Sequence, residues 1–116
     1  MTIITTYPLI IDLLIVGLDR LRFGWCQGAH ARDCNGRIAR FDGIGVHGEP
    51  VSFSSYGALG GHNVIDMMRA RDALWKCLGA RGVGFGSLNE WNDAPGRTQD
   101  EVIALYQDTI DKGSAA

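Results

Sequence analysis

The chain has 116 residues, of which 46% are hydrophobic and 21% charged, so it is one domain around one core and neither a disordered nor a collagen-like chain. Eleven Lys and Arg against thirteen Asp and Glu give a net charge of -2, a balance that asks for no nucleic-acid partner. The charge is unevenly placed: residues 1–81 hold nine basic and seven acidic groups, residues 82–116 two and six, so the acidic end is expected to pack near the Arg-rich part, or both are solvated faces, the functional alternative being a partner-binding surface.

Thr2 to Thr6 is β-branched and predicts an edge strand before Pro8, which suits the first turn of a helix. Pro8 to about Arg22 reads as that helix. Leu9, Ile10, Leu13, Leu14, Leu18 and Leu21 form an apolar stripe that Ile11, Ile15 and Val16 widen around most of the circumference, which predicts deep burial. A buried strand over Ile10 to Val16 is the other way to read so short an apolar run. Asp12 interrupts the stretch, which is far below the ~20 residues of a membrane span. No basic residue precedes Arg20, unlike a secretory leader, and the expected location is the cytoplasm. The odd set Cys26, Cys34 and Cys77, without a C-x-x-C pair, fits free thiols.

Gly24 closes the helix. Trp25 to Arg40 loses the helical period and breaks at Asn35-Gly36, the signature of a β-hairpin. In its first strand Trp25, Gln27, Ala29, Ala31 and Asp33 would share one face, and Cys26, Gly28, His30, Arg32 and Cys34 the other. Gly43 to Pro50 reads as an irregular connection, and Ser52 to Leu59 as a short helix stopped by Gly60-Gly61. Asn63 is an N-cap for a helix to Gly79, with Val64, Met67, Met68, Leu74, Trp75 and Leu78 as its core stripe and Asp72–Lys76 as an i,i+4 pair. Gly79 to Gly86 reads as loop, Leu88 to Trp91 as a short buried piece, and Pro95-Gly96 as a turn. Thr98 and Glu101 form a capping box ahead of Val102, Leu105, Tyr106 and Ile110, in a helix to about Lys112; residues 113–116 should fray. The fold class is therefore α+β and mainly helical, a single domain over 1–116 with three longer helices and a β-hairpin.

Candidate chemistry is sparse. Cys26, His30 and Cys34 alternate onto one strand face, but residues four apart in a strand are ~13 Å apart, too far for shared zinc ligation without His47, His62 or Cys77. No metal and no cofactor are expected. Cys26 beside Gln27 permits nucleophilic catalysis without indicating it, since a buried free thiol is the plainer reading. The loop from Gly79 to Gly86, with Arg81, could cradle an anion but lacks a phosphate motif. Arg20, Arg22, Arg32, Arg37 and Arg40, with Trp25 or Phe41 for stacking, could follow a phosphate backbone, against the acidic balance of the chain. Trp91-Asn92-Asp93 with Arg97-Thr98 is the densest polar and aromatic cluster. Structurally, Trp91 would hold the turn, Asn92 or Asp93 would bond local amides, and Arg97 would pair with Asp93; functionally, Trp and Arg are favoured at interfaces.

These residues resemble a family of small bacterial and bacteriophage proteins known as a domain of unknown function. The shared features are Gly24-Trp25-Cys26-Gln27-Gly28, Ala31-Arg32-Asp33 with Gly36, Gly57-Ala58-Leu59, and Trp91-Asn92-Asp93-Ala94-Pro95-Gly96-Arg97-Thr98 followed by Glu101-Val102. They span residues 24–102. Where the family places a cysteine before the Gly-Ala-Leu element, this chain has Ser54 and Ser55, which speaks against shared thiol chemistry. The resemblance implies an origin and a fold, not an activity.

The expected function is a small non-enzymatic binding protein of the cytoplasm, phage-encoded and directed at a host or defence protein. Its site would be Trp25, Gln27, Arg32, Asp33, Trp91, Asn92, Asp93 and Arg97, provided that the two tryptophan segments lie side by side. The expected partner is a protein, with neither nucleic acid nor membrane. The alternative is a small enzyme with Cys26 as nucleophile or a phosphate ligand on the Gly79–Gly86 loop.

Overall fold

The first element of the computed structural model is helix α1, Thr6–Phe23; the structure describes residues 6–39, 49–83 and 86–115. Thr6 already belongs to α1, and the rest of the edge strand expected over Thr2–Thr6 lies outside the described residues. Leu13, Leu14, Leu18 and Leu21 face the core, whereas Ile15 and Val16 are exposed. The helix is thus amphipathic, not buried all round: its neighbours cover one side only. Gln99 donates from Nε2 to the Leu21 carbonyl at 2.7 Å, satisfying one of the acceptors left at the C-terminal end.

The long first strand of the expected hairpin does not form. Its paired part is β1, Ala31–Arg32, which runs antiparallel to β2, Ser52–Phe53, with Ala31 opposite Phe53 and Arg32 opposite Ser52. Trp25 also bridges Phe53, in parallel, so the backbone leaves the sheet after residue 25 and returns at 31. Gly28, at φ +77°, lies in that excursion and breaks the two-residue alternation of faces. The turn at Asn35-Gly36 does form. Gly36 N–H donates to the Asp33 carbonyl at 3.0 Å, Arg32 and Ile38 pair as an antiparallel bridge, and the Asp33 carboxylate accepts from Asn35 N–H and Arg37 N–H at 2.9 and 3.0 Å.

Residues 43–48 of the irregular connection lie outside the described residues. The helix expected over Ser52 to Leu59 resolves into β2 and a one-turn 3-10 helix, Gly57–Leu59, ending at Gly60. Gly57 permits a close approach: a Cβ there would stand 1.7 Å from the His30 carbonyl oxygen.

Helix α2, Val64–Ala80, begins where expected, with the Asn63 side chain accepting from Ile65 N–H at 2.8 Å and Asp66 N–H at 3.4 Å. Leu74, Cys77 and Leu78 are buried, but Val64 and Met68 are exposed and Met67 only half-buried, so the apolar stripe outruns the core at the N-terminal end. Asp72 pairs with Arg71 at 3.2 Å and not with Lys76. Gly79 is helical, so the glycine-rich loop starts at Arg81.

Helix α3, Leu88–Asp93, is capped by Ser87, whose hydroxyl accepts from Glu90 N–H at 3.2 Å. The turn that follows closes through Arg97 N–H to the Ala94 carbonyl at 3.1 Å. Helix α4, Gln99–Ala115, opens with the expected capping box, Thr98 N–H to Glu101 Oε1 at 2.9 Å and Glu101 N–H to Thr98 Oγ1 at 3.2 Å. It continues past Lys112 to residue 115, where fraying was expected, and Gly113 sits beside Ile11 of α1. Val102, Leu105, Tyr106 and Ile110 are buried.

The architecture is α+β and mainly helical, with α1 packed against α4, α2, the 3-10 turn and β2. Arg81 forms an ion pair with Asp108, so the basic part of the chain does meet the acidic α4. No helix of the described residues is long and apolar enough to cross a membrane.

Candidate functional site

The two tryptophan segments, 66 or so residues apart in sequence, meet at Asn92. Its side chain is fully buried. Asn92 Oδ1 accepts from Trp25 Nε1 at 2.8 Å, from Ser55 N–H at 2.9 Å and from Ser55 Oγ at 2.6 Å. Its Nδ2 donates to the Cys26 carbonyl at 3.1 Å and to Asp93 Oδ1 at 2.9 Å. Both ends of the amide are occupied, which is how a buried polar side chain avoids its desolvation cost.

Neighbouring residues extend the clasp. Gln27 Nε2 donates to the carbonyls of Asn92 and Ala94, each at 3.0 Å, and so caps the end of α3. Asp93 Oδ1 accepts from Gly28 N–H at 3.0 Å. Arg32 ties the loop to the turn through the Gln27 carbonyl at 3.2 Å and the Gly36 carbonyl at 2.9 Å. Asp33, expected as a binding residue, is buried and holds the Asn35-Gly36 turn.

Arg97 does not pair with Asp93. Its guanidinium lies over the Trp91 ring at 4.1 Å, donates from Nε to the Trp91 carbonyl at 2.8 Å, and meets Glu101 at 3.0 Å. Glu101 is held below the usual carboxylate range, first by the Thr98 backbone N–H. All eight candidate residues thus fall in one neighbourhood, and each is engaged in internal contacts. Among the described residues no buried side-chain nitrogen or oxygen lacks a partner.

The sequence reading missed several participants. Ser55 completes the Asn92 shell, Ser54 Oγ accepts from Gly57 N–H at 2.9 Å, and the Tyr106 hydroxyl donates to the Ser55 carbonyl from the far side. Burial pushes the Tyr106 hydroxyl well above its ordinary value. The position of Ser54-Ser55 just before Gly57 was the available signal, since two small hydroxyls beside a close approach suit buried hydrogen bonding.

The other candidate chemistries are dispersed. Cys26 is buried and its thiol donates to the Ala29 carbonyl at 3.6 Å; burial pushes that thiol up, away from the thiolate a nucleophile requires. Cys34 is exposed, and Cys77 is buried beside Lys112. Among the described residues no three His, Cys, Asp or Glu side chains gather as metal ligands do. Of the arginines that could follow phosphates, Arg20 donates to the Ala58 and Gly60 carbonyls at 3.0 and 2.7 Å, and Arg40 lies outside the described residues. Gly84 and Phe85 of the glycine-rich loop also lie outside them.

A family model matches residues 8–112, taking in α1 from its first turn, the whole clasp and most of α4. The chain belongs to DUF6197, a family of unknown function. No curated protein and no solved structure matches it. The DUF6197 span reaches beyond residues 24–102, the range of the motifs, at both ends.

Proposed function

We propose that the protein is a non-enzymatic binding module of the cytoplasm that engages another protein through the first turns of α2. The observation that carries this reading is the exposure of Val64, Ile65 and Met68, at 66, 59 and 42%. Spacings of three and four residues put Met68 beside both of the others on the helix surface. Single exposed apolar residues are ordinary, whereas an apolar cluster of this kind marks contact surfaces. The Asn63 cap supports the role, because it fixes the helix end that presents the cluster.

The tryptophan clasp is then scaffold and not contact surface, which moves the expected site away from Trp25, Asn92 and their neighbours. An enzyme built on Cys26 is less favoured, since its thiol is buried and pushed up. A phage-encoded inhibitor of a host or defence protein is the narrower form of the same proposal. The test is affinity capture from host extract with the wild-type chain and with an Ile65→Glu/Met68→Glu double variant. A partner recovered by the first and lost by the second, at equal thermal stability, supports the proposal; no partner, or one retained by both, overturns it.

A further inference from the structure

One end of the helical layer carries a groove that the clasp does not use. The N-terminal half of α1 and the C-terminal parts of α2 and α4 converge there around a space of ≈ 630 Å³, within the range of small-ligand sites. Its apolar lining includes Ile10, Ile11 and Leu14 of α1 with Ala73 and Ala80 of α2, and Cys77 is a buried part of its wall. From Arg69 to Ala80, α2 borders it for about 16 Å at the usual helical rise.

The charge around this apolar space has one sign in excess. Arg69, Lys76 and Lys112 line it, against a single carboxylate, Asp72, which Arg71 already engages at 3.2 Å. Such an excess is notable in a chain of net charge -2. Lys112 Nζ stands 3.8 Å from Cys77 Sγ, and Lys76 lines the same space, so two ammonium groups border the groove and one of them meets the thiol. An apolar wall with cations beside it complements a molecule that has a hydrocarbon chain and an anionic end.

We propose that this groove binds an aliphatic carboxylate, with its chain on the α1 and α2 side chains and its head group drawn to Lys76 and Lys112. The site is separate from the start of α2, so its failure would leave the protein-partner reading untouched.

Cys77 supplies the readout, and exposed Cys34 is the internal control. The whole chain is alkylated with N-ethylmaleimide, with and without decanoate below its micelle concentration, and both sites are followed by mass spectrometry. At about ten times the Kd, decanoate should slow Cys77 about tenfold and leave Cys34 unchanged. Decyltrimethylammonium, with the same chain and opposite charge, should protect far less. In a Lys76→Glu/Lys112→Glu variant, compared with itself without ligand, the preference should reverse toward the cation. Absence of protection, or equal protection by both amphiphiles in the wild type, overturns the proposal. So does concentration-dependent protection without added ligand, which would assign the groove to a second copy of the chain. A thermal melt of the variant shows that it is folded, and Lys76→Gln/Lys112→Gln offers a milder second change.

Discussion

Asn92 Oδ1 and Trp25 Nε1 lie 2.8 Å apart, a bond that joins the loop after α1 to the end of α3. The same amide oxygen receives both donors of Ser55, and the amide nitrogen reaches the Cys26 carbonyl. Replacing Asn92 with Ala strands several buried groups at once. Each costs about 1–3 kcal/mol when left unpaired, so a loss of about 3 kcal/mol or more is expected in urea unfolding. Asn92→Asp keeps the shape but removes the donor to Cys26 and sets a carboxylate beside Asp93, so it should not rescue stability. A loss below about 1 kcal/mol for both variants would contradict the central role of this residue.

Gly57 meets the His30 backbone where no side chain fits. Because the obstructing atom, 1.7 Å from an added Cβ, is a carbonyl oxygen, Gly57→Ala must move one of the two backbones. The expected cost is about 3 kcal/mol, at the upper end for overpacking, with faster amide exchange at Ser54, whose N–H donates to the same His30 carbonyl at 2.9 Å. Gly36→Ala in the exposed turn has open space around it and a strained φ of +79°, so it should cost less, about 1 kcal/mol. Equal effects would show that the close approach does not matter.

Much of this was legible locally. The Thr98–Glu101 box and the Val102, Leu105, Tyr106, Ile110 stripe specify α4 within a few residues, and Asn63 marks the start of α2 in the same way. Helical spacing does not say how far a neighbouring element reaches, which is why Val64 and Met68 read as core and prove exposed. The strand reading failed because Gly28 takes φ +77° and the chain leaves the sheet between Trp25 and Ala31. That the two tryptophan segments belong together was expected; that Asn92 is the shared partner was not, since its ligands come from three separated stretches. Arg97 has two carboxylates within reach in sequence, and the helical one at i+4 wins over Asp93, which Gly28 and Asn92 already occupy.

The capping box should be visible in a titration. Glu101 accepts from Thr98 N–H and pairs with Arg97, both of which favour its ionised form and lower its pKa. A lowered carboxylate stabilises the fold above the unfolded pKa and loses that contribution as pH falls through the folded one. Thr98→Ala should therefore lower the urea midpoint more at pH 7 than at pH 3. Arg97→Gln should move the Glu101 carboxyl resonance toward the ordinary glutamate titration. A Glu101 titration unchanged by Arg97→Gln would show that the ion pair is not formed in solution.

Cys26 and Cys34 should differ in reactivity for a physical reason that also bears on the enzyme reading. Cys26 is buried, donates to the Ala29 carbonyl and has its pKa raised by desolvation, whereas Cys34 is exposed at the Asn35-Gly36 turn. Alkylation proceeds through the thiolate, so Cys34 should label first at pH 7 to 8 and Cys26 only slowly. The raised pKa has a thermodynamic counterpart. The unfolded chain releases the Cys26 proton at lower pH than the folded one, so this group's contribution to stability is intact below the unfolded thiol pKa and declines above it. Cys26→Ala should flatten that alkaline decline, and unfolding midpoints compared at pH 7 and pH 9.5 would measure it. If Cys26 instead labelled faster than Cys34 in the folded protein, burial would not control its chemistry and the thiol would be an activated one.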